Sequence, residues 1–266
     1  MINQTKIEWC SHTWNPVTGC KHGCPYCYAR SMANRFGTNS SDSVFLKDHV
    51  ANGELVVIPG KDTRTLTDAM FELNAPIYDN PYPFRFRPTF RRYLLDELRE
   101  SRTAKDIFVC SMADLFGDWV PPRWIRDVLD ACSAAPKNRY LFLTKNPARY
   151  GILNLLALLP REENFWYGAT VTETADFERF PMLAWHHAFL SAEPLLGRVD
   201  MKKMRGVRWV IIGAETGNYR PVNKVTPERA WVDEIAEYCD YYGIPVFYKD
   251  SLRKLFPDLP PSKFPW

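Results

Sequence analysis

The chain has 266 residues, of which 46% are hydrophobic and 24% charged, and this composition is typical of a folded globular protein rather than a disordered one. Its net charge of +3 is compatible with a nucleic-acid partner but does not indicate one. No apolar run approaches the length of a membrane span, and the first residues, MINQTKIEWC, do not form a signal peptide. We therefore expect a cytoplasmic protein with reduced thiols and no membrane partner.

The cysteines are concentrated near the N-terminus. Cys20, Cys24 and Cys27 stand at C-x3-C-x2-C spacing, so that three of the seven cysteines fall within eight positions. Three thiolates can hold a [4Fe–4S] cluster and leave the fourth iron open to a non-protein ligand. With an aromatic residue, Tyr26, before the last cysteine, this spacing is typical of radical S-adenosylmethionine (SAM) enzymes. In these enzymes SAM binds the open iron and is cleaved to a 5′-deoxyadenosyl radical.

Two other interpretations of the same cysteines remain open. A structural zinc ion is one, because Cys10 adds a fourth thiolate and His12 and His22 are nearby, although only one C-x2-C pair is present. That interpretation predicts a nucleic-acid-binding module without catalysis. The other is an iron–sulfur protein that senses redox state or transfers electrons, which predicts a cluster without affinity for SAM.

The N-terminal third of the chain has little regular pattern. Residues 5–17 predict a short strand that enters the cysteine loop, and Cys27–Phe36 predicts a helix that ends at Gly37. Residues 39–79 predict an irregular insertion or lid with one β-like run, Glu54–Ile58.

From residue 84 onward, short apolar runs alternate with longer amphipathic segments. The predicted strands are Phe84–Arg87, Asp106–Cys110, Tyr140–Leu143, Phe165–Val171, Ala188–Leu190, Trp209–Gly213 and Pro245–Tyr248. The predicted helices cover 91–103, 121–134, 147–158, 174–185 and 226–242. Strands that repeat with crossover helices predict a parallel sheet. We therefore expect one α/β domain over 1–266, a TIM-like (β/α) barrel with eight strands or a partial one with six, followed by an irregular proline-rich tail.

Polar residues follow almost every predicted strand. Active-site residues of parallel barrels lie at these carboxyl ends, although any one of them can instead be a helix cap or a surface residue. Together with Tyr26, the predicted cofactor-binding residues are Ser111, Asp114, Thr144, Lys145, Glu193, Glu215 and Lys249. Glu193 and Glu215 follow hydrophobic runs directly, which suits contact with the SAM ribose or ammonium, or with substrate.

The segment FRFRPTFRR interleaves arginine with aromatic residues. Alternation along a strand would place Arg85 and Arg87 on one face, as in a nucleic-acid or phosphate surface. The favoured interpretation is a solvated edge, where long side chains cover apolar surface.

A set of motifs in fixed order resembles the phage Gp37/Gp68 family, also called the DUF5131 family, of radical-SAM-like proteins. The motifs are IEWCSHTWNPVTGC, CPYCYAR, RPTF, FVCSMADLFGDWVP, LTKNPARY, WYGATV, FLSAEPLLG, WVIIGAETG and GIPVFYKD. The resemblance covers roughly 1–36 and 84–250. It implies radical SAM chemistry with a [4Fe–4S] cluster, SAM and an external electron donor, and it leaves the substrate open. We expect a base of DNA or RNA as one candidate. The Gly-Gly-Glu that many radical SAM enzymes carry after the second strand is replaced by FRFRPTF, which leaves the individual SAM contacts undefined.

Overall fold

The computed structural model describes residues 2–38, 43–61, 66, 68–78, 80–100, 103–179, 186–203, 206–216 and 224–266. The strands are β1 Ile2–Gln4, β2 His12–Trp14, β3 Val17–Thr18, β4 Leu55–Ile58, β5 Met70–Leu73, β6 Thr89–Arg91, β7 Asp106–Val109, β8 Arg139–Thr144, β9 Phe165–Thr170, β10 His187–Ala192, β11 Val207–Ile212 and β12 Val246–Tyr248. The α-helices are α1 Tyr28–Phe36, α2 Ser43–Ala51, α3 Pro122–Ser133, α4 Ala148–Leu155, α5 Arg229–Tyr241 and α6 Asp250–Arg253. Three further helices are of the 3-10 type, at Arg92–Glu100, Thr174–Arg179 and Met201–Lys203.

Eight of the described strands form one large, mainly parallel sheet. Its strand order is β1-β2-β7-β8-β9-β10-β11-β12, with β1 antiparallel and the other pairs parallel. The α/β class and the parallel sheet predicted from the alternation are confirmed. Closure into a complete barrel is not observed among the described strands, because β1 and β12 form the two edges of the sheet.

Alternation along each strand sorts the side chains into two layers. On β10, Leu190 and Ala192 pack in the same outer cluster as Val232 and Ile235 of α5. Phe189 belongs to an inner cluster with residues from the neighbouring strands. The described members of this inner cluster are Trp9, Phe108, Leu141, Trp166, Phe189, Trp209, Ile211 and Phe247. Both faces of the parallel strands are thus buried, as their continuous apolar runs require.

The segment predicted to be irregular contains regular structure. Within 39–79, helix α2 and strands β4 and β5 are described, and the two strands join β3 and β6 in a second sheet of order β3-β6-β5-β4. Its core includes Phe71 and Phe84, whose rings stack with centroids 3.6 Å apart. The β-like run Glu54–Ile58 corresponds to β4, which pairs with β5 inside the segment, and β5 also pairs with β6 outside it. Whether it acts as a lid stays a prediction.

The predicted strand Phe84–Arg87 is wrong. These residues form turns, Arg85 has a positive φ of 54°, and the strand β6 begins only after Pro88. Prolines before and after the run remove the backbone donors that a strand would need. The predicted helix over 91–103 is a 3-10 helix at Arg92–Glu100, and the one over 174–185 is described only as a 3-10 helix at Thr174–Arg179, since 180–185 lie outside the described residues.

The C-terminal tail is irregular, as predicted, and packs on the inner cluster. The Trp209 Nε1 donates to the Lys263 carbonyl at 3.0 Å, and the Lys263 amide donates to the Val246 carbonyl at 2.8 Å. The Trp266 ring contacts Trp166, and the Arg139 guanidinium lies 3.9 Å from its centroid. Within the described residues, no helix has the length and apolar character needed to cross a membrane.

Candidate active site

A cavity of about 230 Å³ opens at the carboxyl ends of the parallel strands. All eleven residues that the sequence analysis proposed for binding the cluster or the cofactor line it. These residues are Cys20, Cys24, Tyr26, Cys27, Ser111, Asp114, Thr144, Lys145, Glu193, Glu215 and Lys249. The structure brings them together from strands and loops distant in sequence, and their individual roles stay predictions.

The loop that carries the cysteines is fastened to the end of β7. The Gly19 amide donates to the Met112 carbonyl at 2.9 Å, and the Cys20 amide donates to the Phe86 carbonyl at 3.3 Å. Gly19 has a φ of 85°, and a Cβ at this position would collide with the Arg87 carbonyl. Only glycine meets both the backbone angle and the close approach, so Gly19 fixes where the cysteines begin.

The three clustered thiols interact with one another. Burial raises the pKa of the Cys20 thiol to about 12, and the neighbouring Cys24 and Cys27 add to the rise. Burial also raises the pKa of Cys24, and the Lys145 ammonium partly offsets that rise. Cys27 caps α1, where its Sγ accepts from the Arg30 amide at 3.3 Å.

Cys10, the fourth thiol of the zinc interpretation, lies elsewhere. It packs against the inner aromatic cluster, and its Sγ is 3.9 Å from the Ile7 carbonyl oxygen. Among the described residues, no three His, Cys, Asp or Glu side chains are grouped to hold a metal ion. Cys20, Cys24 and Cys27 line one cavity without forming such a group, and Cys10 is not among the residues that line it.

Asp114 connects the cysteine loop to the sheet. Its carboxylate is 4% exposed and accepts from the Thr144 hydroxyl at 2.7 Å, the Lys145 amide at 2.9 Å and the Phe116 amide at 3.0 Å. The same group lies 2.6 Å from Nε2 of His22, which stands between Cys20 and Cys24 in sequence. One buried carboxylate therefore holds the ends of β7 and β8 and the loop in register.

Tyr26 and Lys145 form a second link across the cavity. The Lys145 Nζ donates to the Tyr26 hydroxyl at 3.1 Å and lies 5.1 Å from the centroid of its ring. Burial raises the pKa of Tyr26, and the Lys145 ammonium partly counters the rise. The tyrosine therefore stays neutral and the lysine supplies the positive charge. We call the region of Cys20, Cys24, Cys27, Tyr26 and Lys145 the cysteine end of the cavity.

The other end of the cavity is built from β10, β11 and β12. Lys249 and Glu193 form an ion pair, with side chains only 13% and 23% exposed. Gly213 lies behind them, because a Cβ there would stand 3.0 Å from Lys249 Cδ and 3.2 Å from Glu193 Cγ. Ser191 and Glu193 are two positions apart, so their side chains lie on the same face of this extended segment. We call the region of Ser191, Glu193, Gly213 and Lys249 the strand end.

Two predicted residues are already engaged in structural contacts. Ser111 Oγ donates to Asn15 Oδ1 at 3.1 Å. Glu215 is 6% exposed, and its carboxylate accepts from the Val225 amide at 3.3 Å. Both line the cavity, yet their contacts also support the surrounding loops.

Sequence reasoning missed the aromatic walls. Trp9, Tyr28, Phe86 and Phe108 line the cavity. Trp9 is a core residue as well as part of the cavity wall, because it is 2% exposed and packs in the inner cluster. Trp9 and Phe108 are buried, Phe86 is half-buried and Tyr28 is 41% exposed, so burial does not separate a core position from a cavity wall.

The arginine-rich segment is mostly used inside the protein. Arg87 donates to the Leu66 carbonyl at 2.6 Å, Arg91 donates to the Asn15 carbonyl at 2.6 Å, and Arg92 pairs with Asp127 at 2.7 Å. Burial lowers the pKa of Arg91. The solvated-edge interpretation therefore does not describe these three residues, whose guanidinium groups bind neighbouring loops and helices.

Comparison with known families identifies the chain. Residues 4–253 match the family model described as "Protein of unknown function (DUF5131)", and the chain therefore belongs to the DUF5131 family. This confirms the family that the motifs predicted. No curated protein matches the chain.

Solved structures of spore photoproduct lyase have a fold similar to that of this chain. A double mutant with bound AdoMet and dinucleoside spore photoproduct has a TM-score of 0.52 at 8% sequence identity, over 93% of this chain and 78% of that one. A single mutant has a TM-score of 0.50 at 7% identity, with the same coverage of both chains. At these identities the likeness concerns the fold.

Proposed function

We propose that this protein is a radical SAM enzyme that acts on a nucleic-acid base or nucleotide. The observation that carries the proposal is the meeting of Cys20, Cys24 and Cys27 in one cavity at the carboxyl ends of a parallel sheet. Three thiols suit a [4Fe–4S] cluster with one open iron, whereas a structural zinc site needs four ligands. When bound, the cluster would supply the electron that cleaves SAM to a 5′-deoxyadenosyl radical for hydrogen abstraction.

The protein's own residues would position and neutralise these groups. Cluster binding must displace the protons of Cys20 and Cys24, because burial keeps these thiols protonated. Lys145 is the cation near Cys24 and Tyr26, so it suits an anionic group such as the SAM carboxylate. The aromatic walls would exclude water from the reacting centre.

Two features support a nucleic-acid substrate. The chain shares its fold with a lyase whose structure contains a dinucleoside photoproduct. Its cavity also combines aromatic walls with charged groups, which suits a planar base. Action on a base, the external electron donor and the link to phage proteins are part of this proposal.

Anaerobic reconstitution tests the chemistry. The protein is loaded with iron and sulfide, reduced in the presence of SAM, and assayed for 5′-deoxyadenosine. We expect product from the wild type and none from Cys24→Ala. Cys10→Ala is the matched control, since Cys10 packs outside the set of three thiols, and we expect it to retain both cluster and product.

Three outcomes contradict the proposal. SAM cleavage by a cluster-free Cys24→Ala variant would rule out this mechanism. A colourless wild type that holds zinc and binds nucleic acid in a salt-dependent way would favour the binding module. A brown wild type that never cleaves SAM would favour the redox protein.

A further inference from the structure

Two buried polar groups that line the cavity, Ser191 Oγ at the strand end and Trp9 Nε1, have no hydrogen-bond partner among the described residues. Ser191 is 1% exposed and lines the cavity, yet its Oγ has no hydrogen-bond partner. Trp9 is 2% exposed and lines the same cavity, and its Nε1 is also without a partner. A buried donor or acceptor that stays unpaired costs free energy, so groups of this kind are usually satisfied by a ligand or by water.

The ion pair beside them presents a donor next to an acceptor. Lys249 Nζ has three hydrogens, and Glu193 is its hydrogen-bond acceptor in the described part of the chain. Glu193 contacts Lys249 through Oε1, which leaves Oε2 as a further acceptor site. A ligand with a carbonyl oxygen beside an N–H would complement this pair, with the carbonyl facing Lys249 and the N–H facing Glu193.

Part of the cavity wall is aromatic, with the Trp9 and Phe108 rings tilted at 44° to each other. Trp9 and Phe108 both line the cavity, with ring centroids 4.7 Å apart. Aromatic faces bind planar heterocycles by stacking, and they offer less to a flexible amide. The combination of an aromatic wall and a paired donor and acceptor therefore favours a nucleobase over a peptide group.

We propose that the strand end binds a nucleobase through a lactam edge, O=C–N–H, as found in thymine, uracil and guanine. Lys249 donates to the carbonyl, Glu193 accepts from the ring N–H, and Ser191 supplies a further hydroxyl. This names the substrate class of the proposed function and rests on it for the reaction, while the binding itself is independent of SAM cleavage.

Binding of short single strands tests the assignment. Wild-type protein, loaded with cluster and SAM under anaerobic conditions, is titrated with hexanucleotides of thymine, of uracil, of adenine and with an abasic hexamer. We expect the thymine and uracil strands to bind about tenfold more tightly than the adenine or abasic strands, since adenine lacks a lactam edge. This comparison uses the wild type, so it holds whether or not a variant folds.

Variants then locate the recognition. Lys249→Met should weaken thymine binding about tenfold and Ser191→Ala about threefold, because each removes a hydrogen-bond donor. Lys254→Met is the matched control at an exposed lysine and should bind as the wild type does. Circular dichroism and iron content establish that each variant is folded and loaded.

Several results would overturn the assignment. These are equal binding of the adenine, abasic and thymine strands, unchanged thymine binding in Lys249→Met, or saturable binding of N-acetylglycinamide without binding of any base. The 5′-deoxyadenosine assay without oligonucleotide is run on the same samples. A wild type that binds thymine but never cleaves SAM would refute the proposed reaction and leave the base site standing.

Discussion

The cysteine end and the strand end of the cavity are assembled in different ways. The thiols of the cysteine end come from a single loop, with Cys20 and Cys27 only seven positions apart. The strand end comes from three strands, and its ion pair joins Glu193 to Lys249 across 56 positions. A short loop sets its own side-chain spacing, whereas a pair on two different strands depends on the register of the sheet between them. We therefore expect that a substitution at one end can change binding there without changing binding at the other end.

The largest expected effect is at Gly19. Gly19→Ala should prevent the cysteine loop from docking and abolish cluster binding. The new Cβ would collide with the Arg87 carbonyl, and the backbone φ of 85° at residue 19 is unfavourable for alanine. We expect a loss of unfolding free energy of about 2 kcal/mol or more. Iron content after reconstitution and urea denaturation measure both effects.

Gly23→Ala is the matched control within the same loop. Gly23 also has a positive φ, 74°, but a Cβ there would have nothing within 4 Å. The expected cost is only the backbone strain of about 1 kcal/mol, with the cluster retained. Equal iron loss in the two variants would show that docking of the loop does not depend on the close approach at Gly19.

Asp114 is where the loop and the strands are coupled. Asp114→Asn should weaken cluster binding about ten- to a hundredfold, as is usual when a group that supports ligand residues is changed. The physical reason is that the carboxylate accepts from Thr144 and Lys145 while it holds His22. The measurement is iron retained during competition with a chelator.

Asp118→Asn serves as the control for Asp114. The Asp118 side chain is 85% exposed, and we expect the variant to keep its cluster. If Asp114→Asn retains iron as well as the wild type does, the loop is held by its backbone contacts alone.

Gly213 allows the strand end to be perturbed by itself. Gly213→Ala places a methyl group against Lys249 and Glu193, at 3.0 and 3.2 Å. Their displacement should weaken binding of a thymine hexamer about threefold and leave iron content unchanged. Loss of the cluster in this variant would contradict the separation of the two ends.

The smallest expected effect lies outside the cavity, at Cys239. Burial raises the pKa of its thiol from 9.0 to about 12, so the folded state resists ionisation. The stability this thiol contributes is complete below pH 9 and is lost as the pH rises from 9 toward 12, because the unfolded chain releases its proton first.

Urea denaturation of Cys239→Ala and of the wild type, at about pH 8 and about pH 10, measures the contribution of this thiol to the free energy of unfolding. The stability difference between the two proteins should shrink by about 1 kcal/mol at the higher pH. A constant difference would mean that the thiol ionises equally in both states.

The sequence by itself determined the features that depend on local spacing. The cysteine motif, the order of strands β7 to β12 and the polar residues after them follow from residue type, alternation and chain order. All eleven predicted site residues line the cavity for this reason. The carboxyl ends of parallel strands must lie at one edge, whatever the details of packing.

Only the tertiary structure decided the features that depend on distant partners. In the segment 39–79, strand β5 pairs with β6 outside the segment, and no sequence pattern had predicted β5. The start of the run FRFRPTFRR forms turns before β6, and the guanidinium of Arg87 binds a carbonyl 21 positions away. The described sheet has edges at β1 and β12, whereas the sequence left a full eight-stranded and a partial six-stranded barrel open. The pairing of Glu193 with Lys249 and the unpaired hydroxyl of Ser191 arise from strand register, which no local pattern contains.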